Sequence, residues 1–156
     1  MTIDLQHAPF DPWEALRSHQ AGQTSLAAKY GATASFVGSL RDFNDDASVN
    51  GMFLEHYPGM TEKQLQIIAR ETAERWPVLD SLIVHRVGQI QLGEAIVLVA
   101  VWTSHRGDAF DACRYLMEAL KNRAPFWKKE SLAQGQRWVE CNSNGYADPA
   151  SNNALV

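Results

Sequence analysis

Residues 96–102, Ile-Val-Leu-Val-Ala-Val-Trp, constrain the fold of this chain more than any other stretch. Seven consecutive apolar side chains favour extended backbone, and strand alternation sends them to both faces of a sheet. A strand that is apolar on both faces needs cover on both, so this is a central strand. Residues 81–90 form a second β-branched run, and the short connection Gln91-Leu-Gly-Glu94 makes the two a hairpin. A chain of 156 residues makes one domain, long enough to bury roughly two-thirds of its unfolded surface.

The flanking segments supply helices and further strands. Asp11-Pro12-Trp-Glu14 places an N-cap, a first-turn proline and a carboxylate in the order of a helix start. A second helical piece is expected over residues 26–30. Residues 33–41 read as a strand in which Gly38 marks a bulge or a close backbone approach. Residues 42–50 read as a mobile polar loop. Residues 51–57 alternate as a strand, Pro58-Gly59 turns the chain, and Thr61-x-x-Gln64 offers a capping box. Leu65, Ile68, Ala69 and Thr72 then repeat at helical spacing up to Trp76-Pro77. A third helix follows Gly107-Asp108, with Phe110, Cys113, Leu116 or Met117, and Leu120 as its buried face. Pro125 ends it near Arg123. Residues 126–132 and 137–141 read as two short strands across Gln134-Gly135, and residues 142–156 as a loose polar tail behind a domain spanning 1–141.

Chemistry concentrates in Lys121-Asn-Arg-Ala-Pro-Phe-Trp-Lys-Lys-Glu130, which holds four cations, a helix-stopping proline and two large aromatics. The bend at Pro125 can return Lys128 towards Lys121. Two ammonium groups walled by Phe126 and Trp127 suit an anionic ligand, and burial with mutual repulsion lowers a lysine pKa. A solvated basic helix end with packed aromatics is the plainer reading of the same residues. His105 and Arg106 sit where a strand end meets a helix N-terminus, a place that favours anions. The similar pair His85-Arg86 falls inside a strand and reads as structural. His105/Arg106 and Lys121 lie at opposite ends of one helix, roughly 22 Å apart. Either they are two sites, or a symmetric partner brings one end to the other's pocket; the dimer is the preferred reading.

Composition narrows the classes. The net charge of -4 argues against broad nucleic-acid affinity, but residues 105–130 carry six Lys/Arg against four Asp/Glu. An acidic protein with one basic region fits a small anionic ligand better than a nucleic acid. No run approaches the roughly eighteen apolar residues of a membrane span, and the first residues lack the pattern of a signal peptide. Cys113 and Cys141 form no metal-like spacing and read as free thiols of a cytoplasmic protein. No Walker loop, GxGxxG, HExxH or GxSxG is present, and no metal site is expected.

Assembled, these residues strongly resemble the large, catalytic subunits of molybdopterin synthases. The matching segments are Leu54-Glu-His-Tyr-Pro-Gly-Met-Thr-Glu62, Arg75-Trp-Pro77, His85-Arg-Val-Gly88, Thr103-Ser-His-Arg106, Ala109-Phe110, Leu120-Lys-x-Arg-Ala-Pro-Phe-Trp-Lys-Lys-Glu130 and Arg137-Trp138-Val-Glu140. They run in family order over about residues 33–140. The resemblance implies an α+β fold of the α/β hammerhead type, with a mostly antiparallel sheet and packed helices in a single domain. It implies a homodimer that binds a small ubiquitin-like sulfur-carrier subunit at each end, giving a heterotetramer. The carrier's C-terminal thiocarboxylate supplies sulfur, twice, to cyclic pyranopterin monophosphate, with no further cofactor, and the product bears a dithiolene. Carried over by position, Lys121 and Lys128 are the implied catalytic pair. Arg41, His105 and Arg106 are implied substrate anchors, with Ser39, Leu40, Lys129 and Glu130 lining the pocket.

Two stretches depart from the family pattern. The segment 42–50 is acidic and lacks a glycine before Gly51, and Cys-Asn-Ser-Asn follows Glu140 where some relatives carry an arginine. The competing reading is a non-catalytic module that clasps the C-terminal tail of a ubiquitin-like partner. An RNA-binding surface around Trp127 is disfavoured by the overall charge.

Overall fold

The computed structural model describes residues 1–44, 47–132 and 135–139. In chain order its elements are β1 (Thr2–Gln6), α1 (Pro12–Gly22), β2 (Ala32–Ser39), β3 (Phe43–Asn44), β4 (Ala47–His56), α2 (Met60–Arg75), β5 (Val78–Arg86), β6 (Gly88–Ile90), β7 (Ala95–Thr103), α3 (Arg106–Arg123), β8 (Phe126–Leu132) and β9 (Gly135–Trp138). They build an α+β fold from two sheets. One has strand order β1-β5-β7-β2; the other runs β3-β4-β8-β9, with β6 also paired to β4. Every pairing is antiparallel except β1 with β5.

The run at 96–102 becomes β7, an inner strand between β5 and β2. Its side chains divide as alternation requires. Val97, Val99 and Val101 join Leu65, Ile68, Ala112 and Leu116 in the core beneath α2 and α3. Leu98, Ala100 and Trp102 join Leu82, Val84, Ala15 and Leu16 beneath α1. The close approach read at Gly38 is real: a Cβ there would stand 3.1 Å from Val97 Cγ1, and the register shifts between Gly38 and Ser39.

Several expectations are corrected. Residues 26–29 lie in turns, closed by bonds such as Lys29 N–H to Leu26 O at 2.8 Å, and no helix forms over 26–30. Part of the expected loop at 42–50 is strand: Phe43 pairs with Ser48 and Asn44 with Ala47. Backbone pairing holds this hairpin, so side-chain periodicity gave no sign of it; Asp45 and Asp46 lie outside the described residues. The 81–90 run is not one strand of a simple hairpin. It breaks at Val87, Gly88 turns with φ +80, and β6 leaves for the second sheet to pair with β4. Phe110 is 67% exposed, and the inner face of α3 is Ala109, Ala112, Cys113, Leu116, Ala119 and Leu120. Alanines let the helix lie close on the sheet, which rotates the buried stripe away from the bulkier residue. β1 had no counterpart in the sequence reading. The expected strand at 137–141 is met by β9 as far as Trp138; Cys141 and residues 142–156 lie outside the described residues.

The helix starts follow local chemistry. The Asp11 carboxylate accepts from Trp13 N–H at 2.8 Å and Glu14 N–H at 3.2 Å, with Pro12 in the first turn. For α2 the cap is Gly59, whose N–H donates to Glu62 at 2.6 Å, so the expected Thr61–Gln64 box does not form. Thr61 lies inside the helix instead. Its hydroxyl accepts from Tyr57 N–H at 3.1 Å and donates to Pro125 O at 3.4 Å. That bond ties the start of α2 to the bend between α3 and β8.

Candidate active site

The bend at Pro125 generates the site. α3 stops at Arg123, Ala124 turns extended, and its N–H closes the last helical turn on Leu120 O at 3.0 Å. β8 then runs antiparallel to β4, setting Phe126 opposite His56, Lys128 opposite Leu54, and Glu130 opposite Met52. Alternation puts Phe126, Lys128 and Glu130 on one face of β8 and Trp127 and Lys129 on the other. The first face is the buried one: Met52, Leu54 and Glu130 are buried, and Lys128 is partly so. On the outer face Trp127 packs edge-on against Tyr57 at 4.6 Å, and the Lys129 ammonium lies 5.4 Å from the Trp138 ring centre.

Electrostatics place Lys121 and Lys128 in one field. Burial first, then the Lys121 charge, lowers the Lys128 pKa, while Glu130 pulls it back up. Beside them lies His85, buried, its ring stacked on Phe126 at 4.0 Å and 11°. Its Nδ1–H donates to Arg86 O at 2.7 Å, which fixes the tautomer. Burial holds the His85 pKa down at about 4; the backbone bond opposes this, and the charges of Lys128 and His56 add to it. Next to it Arg86 is structural, its guanidinium donating to Gln6 O, Val87 O and Gln89 O from a position only 1% exposed.

The remaining anchors separate into two groups. β2 and β7 are antiparallel, so Ser39 pairs with Ala95 at the start of β7 while Ala32 pairs with Thr103 at its end. Ser39, Leu40 and Arg41 therefore stand at the sheet end to which α3 returns. Leu40 is buried in the same cluster that Phe126 packs against, and Ser39 and Arg41 are exposed. His105 and Arg106 are exposed at the opposite end, where His105 caps α3 without a side-chain bond. Within one chain the structure does not bring them to Lys121 and Lys128.

Sequence reasoning overlooked two contributors. Thr61 and His85 reach the site through contacts with Pro125 and Phe126, more than forty positions away in the case of Phe126 and His85 and farther still for Thr61. Among the described residues no group of three or more His, Cys, Asp or Glu side chains is placed to hold a metal. Cys113 is buried under β7, and burial pushes its thiol up to about 11, so it is a poor nucleophile.

Most of the chain matches a known family. Residues 5–123 fit the family model described as MoaE protein. The chain belongs to the MoaE family. It is 53% identical over 140 residues to the molybdopterin synthase catalytic subunit of Pseudomonas aeruginosa, covering 90% of this chain and 91% of that protein. It is 48% identical over 110 residues to that of Escherichia coli, covering 70% and 73%. Among solved structures, the Burkholderia ambifaria molybdopterin biosynthesis MoaE protein superposes with a TM-score of 0.74 at 47% identity, covering 97% and 95%. Molybdopterin synthase from Staphylococcus aureus gives 0.78 at 32% identity, covering 88% and 96%. A complex of subunits 1 and 2 of molybdopterin-converting factor from Helicobacter pylori, at 20% identity, shares the fold with a TM-score of 0.74 over 90% and 92%.

Proposed function

We propose that this chain is the catalytic subunit of a molybdopterin synthase and acts as a sulfurtransferase. In this reading the thiocarboxylate of a small carrier protein delivers sulfur, one atom per visit, to cyclic pyranopterin monophosphate until a dithiolene is complete. The observation that carries it is the partly buried Lys128 held in the field of Lys121 just past the Pro125 bend. Both reactants are anions, and such a pair of fixed cations offsets their repulsion where water is scarce. An amine with a lowered pKa gives up its proton more readily than an ordinary lysine, so one lysine can protonate an oxygen leaving the substrate while the other holds the carrier's terminus. Cys113 supplies no route for sulfur, because its thiol is buried and protonated.

Arg41, with Ser39 and Leu40, flanks the site at the same sheet end. His105 and Arg106 serve it from the second subunit of a homodimer, since α3 separates them from Lys121 within one chain by roughly 22 Å. Arginine forks and an imidazole suit a phosphate and its proton traffic. The test is to incubate the protein with thiocarboxylated carrier and cyclic pyranopterin monophosphate and measure dithiolene product. Lys121→Ala is expected to lower turnover by about 100-fold or more while carrier binding persists. Full activity in that variant refutes the assignment, and carrier binding without product in the wild type identifies a non-catalytic clasp. Mixing Lys121→Ala chains with Arg106→Ala chains restores part of the activity if the site is shared across a dimer; none in any mixture rejects the sharing.

A further inference from the structure

His85 is a buried titratable group for which the proposed reaction gives no task. It is the last residue but one of β5 in the first sheet, opposite Leu5 of β1 and Val97 of β7. Its backbone is held hard, because the neighbouring Arg86 guanidinium bonds three carbonyls from β1, β6 and the link between β5 and β6. The ring cannot turn over without losing the Nδ1–H bond to Arg86 O. Against this fixed ring lies Phe126, which packs both on the core under α2 and α3 and on the core of the second sheet. Phe126 is the first residue of β8, on the same face as Lys128 and two positions before it. The stack is thus a contact between the rigid first sheet and the strand that carries the amine.

We propose that His85 is a positioning residue for Lys128: its flat, neutral imidazole seats Phe126, and so fixes where the Lys128 amine stands relative to Lys121. The residue type answers two demands at once. A flat face is needed for stacking at 4.0 Å, and an N–H edge is needed to satisfy Arg86 O. Phenylalanine meets only the first and asparagine only the second. Burial keeps the ring neutral, and the charges of Lys128 on β8 and His56 on β4 further oppose a second proton on it. The other groups that bear on the site are Lys121 at the end of α3, Glu130 on β8, and His7 after β1, whose ring centre is 5.9 Å from that of His56. Arg86 alternates to the other face of β5.

The activity readout rests on the sulfur-transfer reading; the structural readout does not. In the full-length protein, the rate of acetylation of Lys128 by acetic anhydride is followed against pH by peptide mass spectrometry, which reports the amine's own titration. His85→Asn is expected to move the Lys128 midpoint upward, towards the ordinary lysine value, as the amine escapes burial and Lys121. In the sulfur-transfer assay it lowers kcat by about tenfold with KM within about twofold. His85→Phe, which keeps the flat face, recovers most of both losses. Phe126→Leu removes the stack from the other side and gives the same midpoint shift, deciding the matter if His85→Asn does not fold. An unmoved Lys128 midpoint in a folded His85→Asn or Phe126→Leu protein overturns the proposal. So does a His85→Phe shift as large as that of His85→Asn, because the hydrogen bond and not the stack would then set the position. If the midpoints shift as expected but even the wild type makes no product, the functional reading fails and the positioning role stands.

Discussion

Replacing Arg86 with methionine keeps a long, unbranched side chain and removes the charge and the donors. The guanidinium sits almost wholly out of water and donates to Gln6 O at 3.0 Å, Val87 O at 3.1 Å and Gln89 O at 2.6 Å, with the Glu94 carboxylate 3.6 Å away. Hydrogen bonds from a charged donor contribute about 1.5–3 kcal/mol each. The three together are opposed by several kcal/mol of guanidinium desolvation, and the Nε–H is left without a partner. Gln6 O keeps a second donor in Val87 N–H at 3.0 Å, so its loss is the mildest. The net expectation for Arg86→Met is a destabilisation of about 3 kcal/mol, or roughly 6–12 °C in Tm for a domain of this size. Urea titrations of wild type and variant measure it, with an unchanged m-value expected if only the native state is affected. Arg86→Lys should recover little, because one ammonium cannot fork to carbonyls on three segments. An Arg86→Met protein as stable as the wild type, or more so, refutes the reasoning: desolvation would then outweigh the bonds, and the break between β5 and β6 would be held by something else.

Three further outcomes follow from the same geometry. The folded state holds Lys128 below its ordinary value of 10.5 and so binds fewer protons there than the unfolded chain. Stability therefore rises with pH across that window, and Lys128→Met should melt about 2–4 °C above the wild type at pH 7, the gap closing towards pH 10.5. A lower melting point at pH 7 would contradict the burial penalty. His85 has a folded pKa of about 4 against 6.5 for the free group, so its contribution is complete above 6.5 and is lost as pH falls towards 4. Urea titrations at pH 7 and pH 4 should show roughly 3 kcal/mol of acid destabilisation that His85→Phe removes; equal losses in both proteins would argue against it. Cys113→Ala should retain product formation, since sulfur does not pass through that thiol, at a stability cost of about 1 kcal/mol read by thermal melting.

The parts of the fold legible in the sequence were those written in side-chain periodicity. β7 declared itself by its unbroken apolar run, and α3 ended where Pro125 required. Gly38 gave both the bulge and the close contact with Val97. Features held by backbone pairing were hidden. Phe43 and Asn44 pair with Ser48 and Ala47 whatever their side chains, and Gly88 sends the chain to another sheet through a single positive φ. Phe110 misled because size was counted where closeness mattered. Of the candidate site, Lys121 and Lys128 could be joined from the sequence because only a turn separates them. The His85–Phe126 stack joins segments forty-one positions apart, and the Thr61–Pro125 bond segments sixty-four apart, and no local pattern encodes such meetings.

α3 also sets a phase as well as a length. Arg106 and Lys121 are fifteen residues apart, about four full turns and a further 60°, so they leave the helix on nearly the same side. One inserted residue would advance the helix end by only about 1.5 Å yet swing Lys121 through about 100°, out of the field of Lys128. The spacing of these two positions is thus fixed far more tightly by rotation than by distance, and point substitutions along the exposed side of α3 are tolerable where a single insertion or deletion is not.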